Sequence, residues 1–158
     1  MSERVERLRL ERVQDVSHLV ASKPAILPED APIEKVLDEF VSDPKRRIVC
    51  VVDSERKLVG VISLMELLIY IGVHAGEAVE SFAHLTPYEA GLRYMMGSQA
   101  KHVMKEATSV KSNDRLLDAL NKMEQTGLEE LPVVNDQGII VGEIHGLEIL
   151  IETLKLLR

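Results

Sequence analysis

The chain of 158 residues has no tryptophan, two phenylalanines and three tyrosines. Apolar residues make up 46%, so a packed core is attainable, but it must be aliphatic. One cysteine, Cys50, excludes an internal disulfide and fits a reducing compartment. Cations are scarce: 19 Lys and Arg against 26 Asp and Glu leave a net charge of −7. That balance argues against nucleic acid and against an anionic membrane surface, both of which need clustered positive charge. Long hydrophobic runs are missing as well. The most apolar one, Leu58 to Val73, is interrupted by Glu66 and is too short to span a bilayer. The first fifteen residues are mostly charged and do not resemble a signal peptide. A soluble, cytoplasmic protein is expected.

Catalytic signatures are lacking too. There is no GxSxG, no P-loop and no GxGxxG, and the Gly91 to Gly97 stretch has no preceding strand. The histidines at 18, 74, 84, 102 and 145 have no metal-ligand spacing, and no cysteine cluster joins them. The expectation is a non-enzyme with no metal site and no required cofactor.

What is present is a repeat. "VGVISLMELL", Val59 to Leu68, returns 82 positions later as "VGEIHGLEIL", Val141 to Leu150. Around the first copy, Ile33, Val36, Leu37 and Phe40 fall on one helical face. "RRIVCVVD" reads as a buried strand, "SERK" as a turn, "LVGVIS" as a strand and "LMELLIYI" as a helix. Around the second, Leu116, Leu120 and Met123 mark a helix, followed by the strand "LPVVN", the turn "DQG" and the strand "IIVGEIH". The closing helix "GLEILIETLKLL" is expected to bury Leu147, Leu150, Leu154 and Leu157. With "KPAIL" and "EATSV" as leading strands, each unit is strand–helix–strand–strand–helix. A unit of this size is marginal alone, so two should share a core. The flanks are a charged N-terminal helix, "SERVERLRLERV", and an inserted helix. The insert starts at "TPYE", with Thr86 as N-cap and Pro87 at the first helical position, and ends near Gly97. The expected divisions are 1–16 (N-terminal helix), 17–71 (first repeat), 72–99 (insert) and 100–158 (second repeat).

Two such units, with "LPVV" and "VG" in register, resemble a tandem pair of CBS domains, the Bateman module. The resemblance covers Ser17–Leu68 and Lys101–Leu154. It implies an α/β (α+β) fold of two β-α-β-β-α repeats packed with pseudo-twofold symmetry. It implies a stand-alone regulatory protein binding AMP, ADP, ATP or S-adenosylmethionine in clefts between the halves. It also implies a homodimer whose shift an effector protein reads. Wide apolar faces on the closing helices (Leu64, Leu67, Leu68, Ile71; Leu147, Leu150, Leu154, Leu157) support the dimer.

In the family the strand after "VG" ends in Thr or Ser, for phosphate, and an Asp three residues on holds the ribose. Here those positions are Ser63 and Glu66, then His145 and Glu148. Each carboxylate is one methylene longer than the family's. Ser63 and Glu66 also spell a capping box, which needs no ligand. His145 is a poor N-cap, which leaves Glu148 with less structural reason to be there. By the same resemblance, Lys23, Ala25 and Ile26 line one adenine slot and Thr108 and Ser109 the other. Arg46 and Arg47 add positive charge to the first site, where the second has Glu129 and Glu130. A phosphorylated ligand is therefore expected at the first site. The alternative is a ligand-free dimerisation or docking module that has lost the site.

Overall fold

The computed structural model describes residues 2–20, 22–81, 89, 92 and 95–158. In chain order its elements are α1 (Glu3–Leu10), α2 (Val13–Val16), β1 (Ile26–Pro28), α3 (Ile33–Ser42), β2 (Ile48–Val52), β3 (Leu58–Ser63), α4 (Leu64–Ser81), α5 (Ala100–Val103), β4 (Lys105–Glu106), α6 (Leu116–Thr126), β5 (Glu130–Val134), β6 (Ile140–His145) and α7 (Gly146–Leu157). Strands β5 and β6 and the start of α7 each lie 82 positions after β2, β3 and the start of α4. The repeat in sequence is thus a repeat in structure. The expected start of the insert at Thr86 and Pro87 lies outside the described residues.

The elements gather into two compact units. One comprises Ala25–Ser54 and Val59–Glu106. Its sheet runs β1-β2-β3-β4, with β1 parallel to β2 and β4 antiparallel to β3. All five residues of β2 are buried, as an uninterrupted apolar run should be. Ile33, Val36 and Phe40 of α3 pack into the same core with Val49, Val51, Ile62 and Leu67. Each such side chain contributes about 1.5–3 kcal/mol by leaving water. The start of α3 is held by a later stretch of chain. Ile33 N–H donates to Ser98 O at 2.9 Å, and Ala100 N–H to Ala31 O at 2.8 Å. Helix α4 continues through Gly72, which was expected to begin the insert, to Ser81. A glycine inside a helix costs about 1 kcal/mol and does not by itself end one.

The other unit comprises Met1–Pro24, Glu55–Leu58 and Ala107–Arg158. Here β5 and β6 pair antiparallel, with Glu130 opposite His145 and Pro132 opposite Glu143. The expected N-terminal helix breaks at Glu11–Arg12 into α1, which buries nothing, and α2, whose Val13 and Val16 are fully buried. Val13 N–H donates to Asp114 O and Leu116 N–H to Glu11 O, each at 2.9 Å. The start of α6 is thus held by an earlier stretch of chain. Helix α6 ends where Gly127 takes φ 73°, a left-handed value that glycine adopts without penalty.

Three expectations about this unit are corrected. Of "EATSV" only Glu106 lies in a strand, the end of β4, and residues 107–109 are not strand. Val110 alone bridges β5, at Val133, and the nearby β4 pairs with β3 instead. On α6 the buried face is Leu116, Ala119 and Met123, while Leu120 is exposed. Spacings of three and four both suit a helix, and the smaller alanine faces the core. On α7 the residues buried are Glu148 and Ile149. Leu147, Leu150, Leu154 and Leu157 stand 56%, 65%, 47% and 70% exposed. In the first repeat Leu64 and Leu68 are likewise exposed, whereas Leu67 is buried.

Candidate functional site

Each repeat turns a corner from its last strand into its closing helix, and the candidate residues stand there. In the first repeat Leu64 N–H donates to Arg47 O at 3.1 Å; in the second Gly146 N–H donates to Glu129 O at 2.8 Å. These two bonds join equivalent positions, so the backbone corner is the same. The side chains use it differently.

At the first corner Ser63 Oγ accepts from Glu66 N–H at 3.1 Å. This is the serine half of a capping box and satisfies one open donor of the helix. The glutamate does not return to the backbone. Its Oε1 lies 3.7 Å from Lys105 Nζ. Its Oε2 is buried and accepts no hydrogen bond among the described residues. A buried carboxylate oxygen left in that condition calls for an explanation. Arg47 is exposed, and its Nη1 donates to Pro44 O at 2.9 Å and to Arg46 O at 3.1 Å. Arg46 points to the end of α3 instead, 3.8 Å from Glu39 and 3.7 Å from Asp43. Ala25 is buried and its carbonyl accepts from Cys50 N–H at 2.8 Å, while Ile26 is exposed. Lys23 is exposed and belongs to the other unit.

At the second corner it is the glutamate half of the box that forms. Glu148 is fully buried; its Oε1 accepts from His145 N–H at 2.9 Å and its Oε2 from Val20 N–H at 3.2 Å. Glu148 therefore has a full structural role that its poor N-cap partner concealed. His145 turns its ring away from the helix. Nδ1 lies 3.4 Å from Glu130 Oε2, and Nε2 lies 2.9 Å from Glu143 Oε1. Ser22 Oγ donates to Glu143 Oε1 at 2.6 Å and sits 2.7 Å from His145 Nε2. The hydrogen bond to Glu143 raises the His145 pKa above its ordinary value. Burial opposes this, and the charges of Glu130, Glu143 and Glu148 add to the rise. Thr108 and Ser109 are half-buried, and Ser109 O accepts from Lys122 Nζ at 2.5 Å.

Sequence reading missed Glu143 and Ser22, and it set Glu130 against the arginines, whereas the 82-residue register puts Glu129 opposite Arg47 and Glu130 opposite Ile48. The signal for Glu143 and His145 is their spacing of two on one strand, which puts both on one face. Glu130 joins them only through the hairpin register, which local spacing does not reveal. No helix among the described residues is long and apolar enough to cross a membrane.

Strand pairs with a closing helix, stated twice and carrying a polar corner each time, define a two-repeat α/β architecture. Comparison with known families names it. The CBS domain family model matches residues 13–73 and 100–153, and the chain belongs to that family. A CBS domain-containing protein of Thermotoga maritima is 34% identical, with a TM-score of 0.76 over 92% of this chain and 96% of its own. A CBS domain protein of Pyrobaculum aerophilum, complexed with AMP, is 20% identical with a TM-score of 0.64, covering 92% and 98%. The CBS domain pair of protein MJ0100, in complex with 5′-methylthioadenosine and S-adenosyl-L-methionine, is 15% identical with a TM-score of 0.62, covering 92% and 98%. The comparison with curated proteins gives no match.

Proposed function

We propose that the chain is a regulatory CBS pair that binds an adenosine-containing ligand of the AMP, ADP, ATP or S-adenosylmethionine type at the Ser63–Glu66 corner. The observation that carries this reading is Glu66 Oε2, buried and accepting no hydrogen bond among the described residues. A ribose diol offers two O–H donors, the complement of a carboxylate in that state. The start of α4 favours an anion beside it, through its dipole and open N–H groups. Arg47, at the same corner, supplies a charge for phosphate. Adenosine ligands in the Pyrobaculum and MJ0100 structures support the ligand class. Glu148 has both oxygens committed to backbone, and Glu129 replaces Arg47, so the second corner suits a phosphorylated ligand less. Binding would shift the population of two arrangements that an effector protein distinguishes.

Calorimetry with AMP, ATP, S-adenosylmethionine and adenosine tests the reading. Glu66→Ala should weaken all of them by about 10- to 100-fold, the equivalent of one charged hydrogen bond. Arg47→Ala and Ser63→Ala should weaken only the phosphorylated ones by that order. No heat with any adenosine compound would sink the proposal.

The alternative, a dimerisation module without a ligand, is favoured by a different observation: the exposed Leu147, Leu150, Leu154 and Leu157 stripe of α7. A second copy would bury it, and the two readings are compatible. Light scattering should return twice the chain mass, and Leu150→Glu should return the mass of one chain. A monomer at micromolar concentration would defeat the dimer.

A further inference from the structure

The three positions at the second corner that hold Glu130, Glu143 and His145 are held in the first repeat, 82 residues earlier, by Ile48, Val61 and Ser63. Ile48 and Val61 are buried apolar residues on β2 and β3. Their counterparts are carboxylates that remain just as buried, Glu130 at 1% and Glu143 at 5% exposure. A buried charge is stable only when it is paired or coordinates a metal. One nitrogen and two carboxylate oxygens, one atom from each residue, lie within 4.8 Å of one another.

We propose that Glu130, Glu143 and one ring nitrogen of His145 bind a divalent transition-metal ion of the zinc or manganese class. Paired strands supply all three, so the donors start from a rigid frame: Glu130 faces His145 across the β5–β6 register, and Glu143 is two residues along the same strand. An ion held at about 2.0–2.2 Å spaces its ligands roughly 3–4 Å apart. Glu143 Oε1 lies 2.9 Å from Nε2 and Glu130 Oε2 lies 3.4 Å from Nδ1, so either nitrogen has one carboxylate at that spacing, and the second carboxylate is within 4.8 Å of the same donor set. An imidazole beside two carboxylates suits zinc or manganese better than magnesium, which prefers oxygen alone and keeps its waters. Ser22, donating to Glu143 at 2.6 Å, orients a ligand as outer-sphere groups do in metal sites. This site is separate from the Ser63–Glu66 corner and does not rest on adenosine binding there.

The full chain is stripped with a chelator and titrated calorimetrically with zinc, manganese and magnesium chlorides, with no adenosine compound present. One zinc per chain is expected, with magnesium weaker. Glu143→Gln, which keeps shape and hydrogen bonding, should weaken zinc by about 10- to 100-fold or more, as should His145→Ala. His102→Ala, a surface control, should leave zinc affinity unchanged. In the unsubstituted chain, zinc should shift the His145 ring resonances in NMR spectra. That measurement stands whether or not a variant folds. The absence of saturable zinc binding, zinc affinity unchanged in Glu143→Gln, or unmoved His145 resonances would each overturn the proposal. AMP binding is measured separately, so failure of one site is distinguishable from failure of the other.

Discussion

The two corners share a backbone and divide one capping motif between them. In the first repeat the serine half forms and the carboxylate stays open; in the second the carboxylate half forms and the residue before the helix turns its ring to Glu130 and Glu143. The same four-residue pattern can therefore fasten a helix through its carboxylate or leave that carboxylate open, and which it does depends on what else reaches the carboxylate. Val20 N–H reaches Glu148. At Glu66, among the described residues, the Lys105 ammonium approaches to 3.7 Å without a backbone N–H beside it.

That contrast is most sharply broken by removing each carboxylate in turn. Glu148→Ala strands two backbone N–H groups in a buried site, each loss costing about 1–3 kcal/mol. A destabilisation of roughly 2–5 kcal/mol is expected from urea unfolding without ligand. Glu66→Ala should cost under about 1 kcal/mol in the same assay, since its one ion pair is partly exposed. Equal losses would show that the corners are not functionally divided.

A smaller effect is expected at the glycine that precedes each corner. A Cβ on Gly60 would sit 2.5–2.9 Å from the Met104 side chain, whereas one on Gly142 meets nothing within 4 Å. Gly60→Ala should lower stability by about 1–3 kcal/mol through overpacking. Gly142→Ala should stay within about 0.5 kcal/mol. Thermal unfolding of the two variants is the measurement, and a reversed order would contradict the packing described.

The smallest effect concerns the first helix of each repeat. At the start of α6, Arg115 hydrogen-bonds Asp118 and holds its carboxyl below the ordinary value of 3.8. The equivalent positions of α3 are Pro32 and Lys35, with no carboxylate to titrate. A depressed folded pKa contributes stability above the unfolded value and loses it as pH falls through the folded one. Asp118→Asn should therefore flatten the pH dependence of stability slightly below pH 4, while Lys35→Ala should leave it unchanged. Identical acid titrations in wild type and Asp118→Asn would remove the effect.

Much of this architecture was legible. The 82-residue register placed β2, β3, β5, β6 and the starts of both closing helices, because strand alternation and the "VG" phrase are local. Ser63 and Glu66 were legible for the same reason. Helix faces were harder: α7 buries Glu148 and Ile149 and leaves its leucine stripe exposed, so an apolar periodicity did not say which side the chain itself covers. The Glu130–Glu143–His145 group was illegible because strand register, a long-range property, creates it. So was the exchange of leading segments. Residues 12–16 fasten the helix of the second repeat and residues 98–103 that of the first, through single backbone bonds that leave no side-chain pattern.

That exchange bears on the order in which the chain acquires structure during synthesis. The unit holding β2 has all its residues by Glu106, whereas Val13 and Val16 need α6, about a hundred residues further on. At about 5–20 residues per second, they wait roughly 5–20 s after emerging for their partners to be made. Hydrogen exchange on stalled nascent chains ending before Leu116 should find Val49 protected and Val16 open; protection at both would refute this order. Residues translated well before α6 thus find their place only after it.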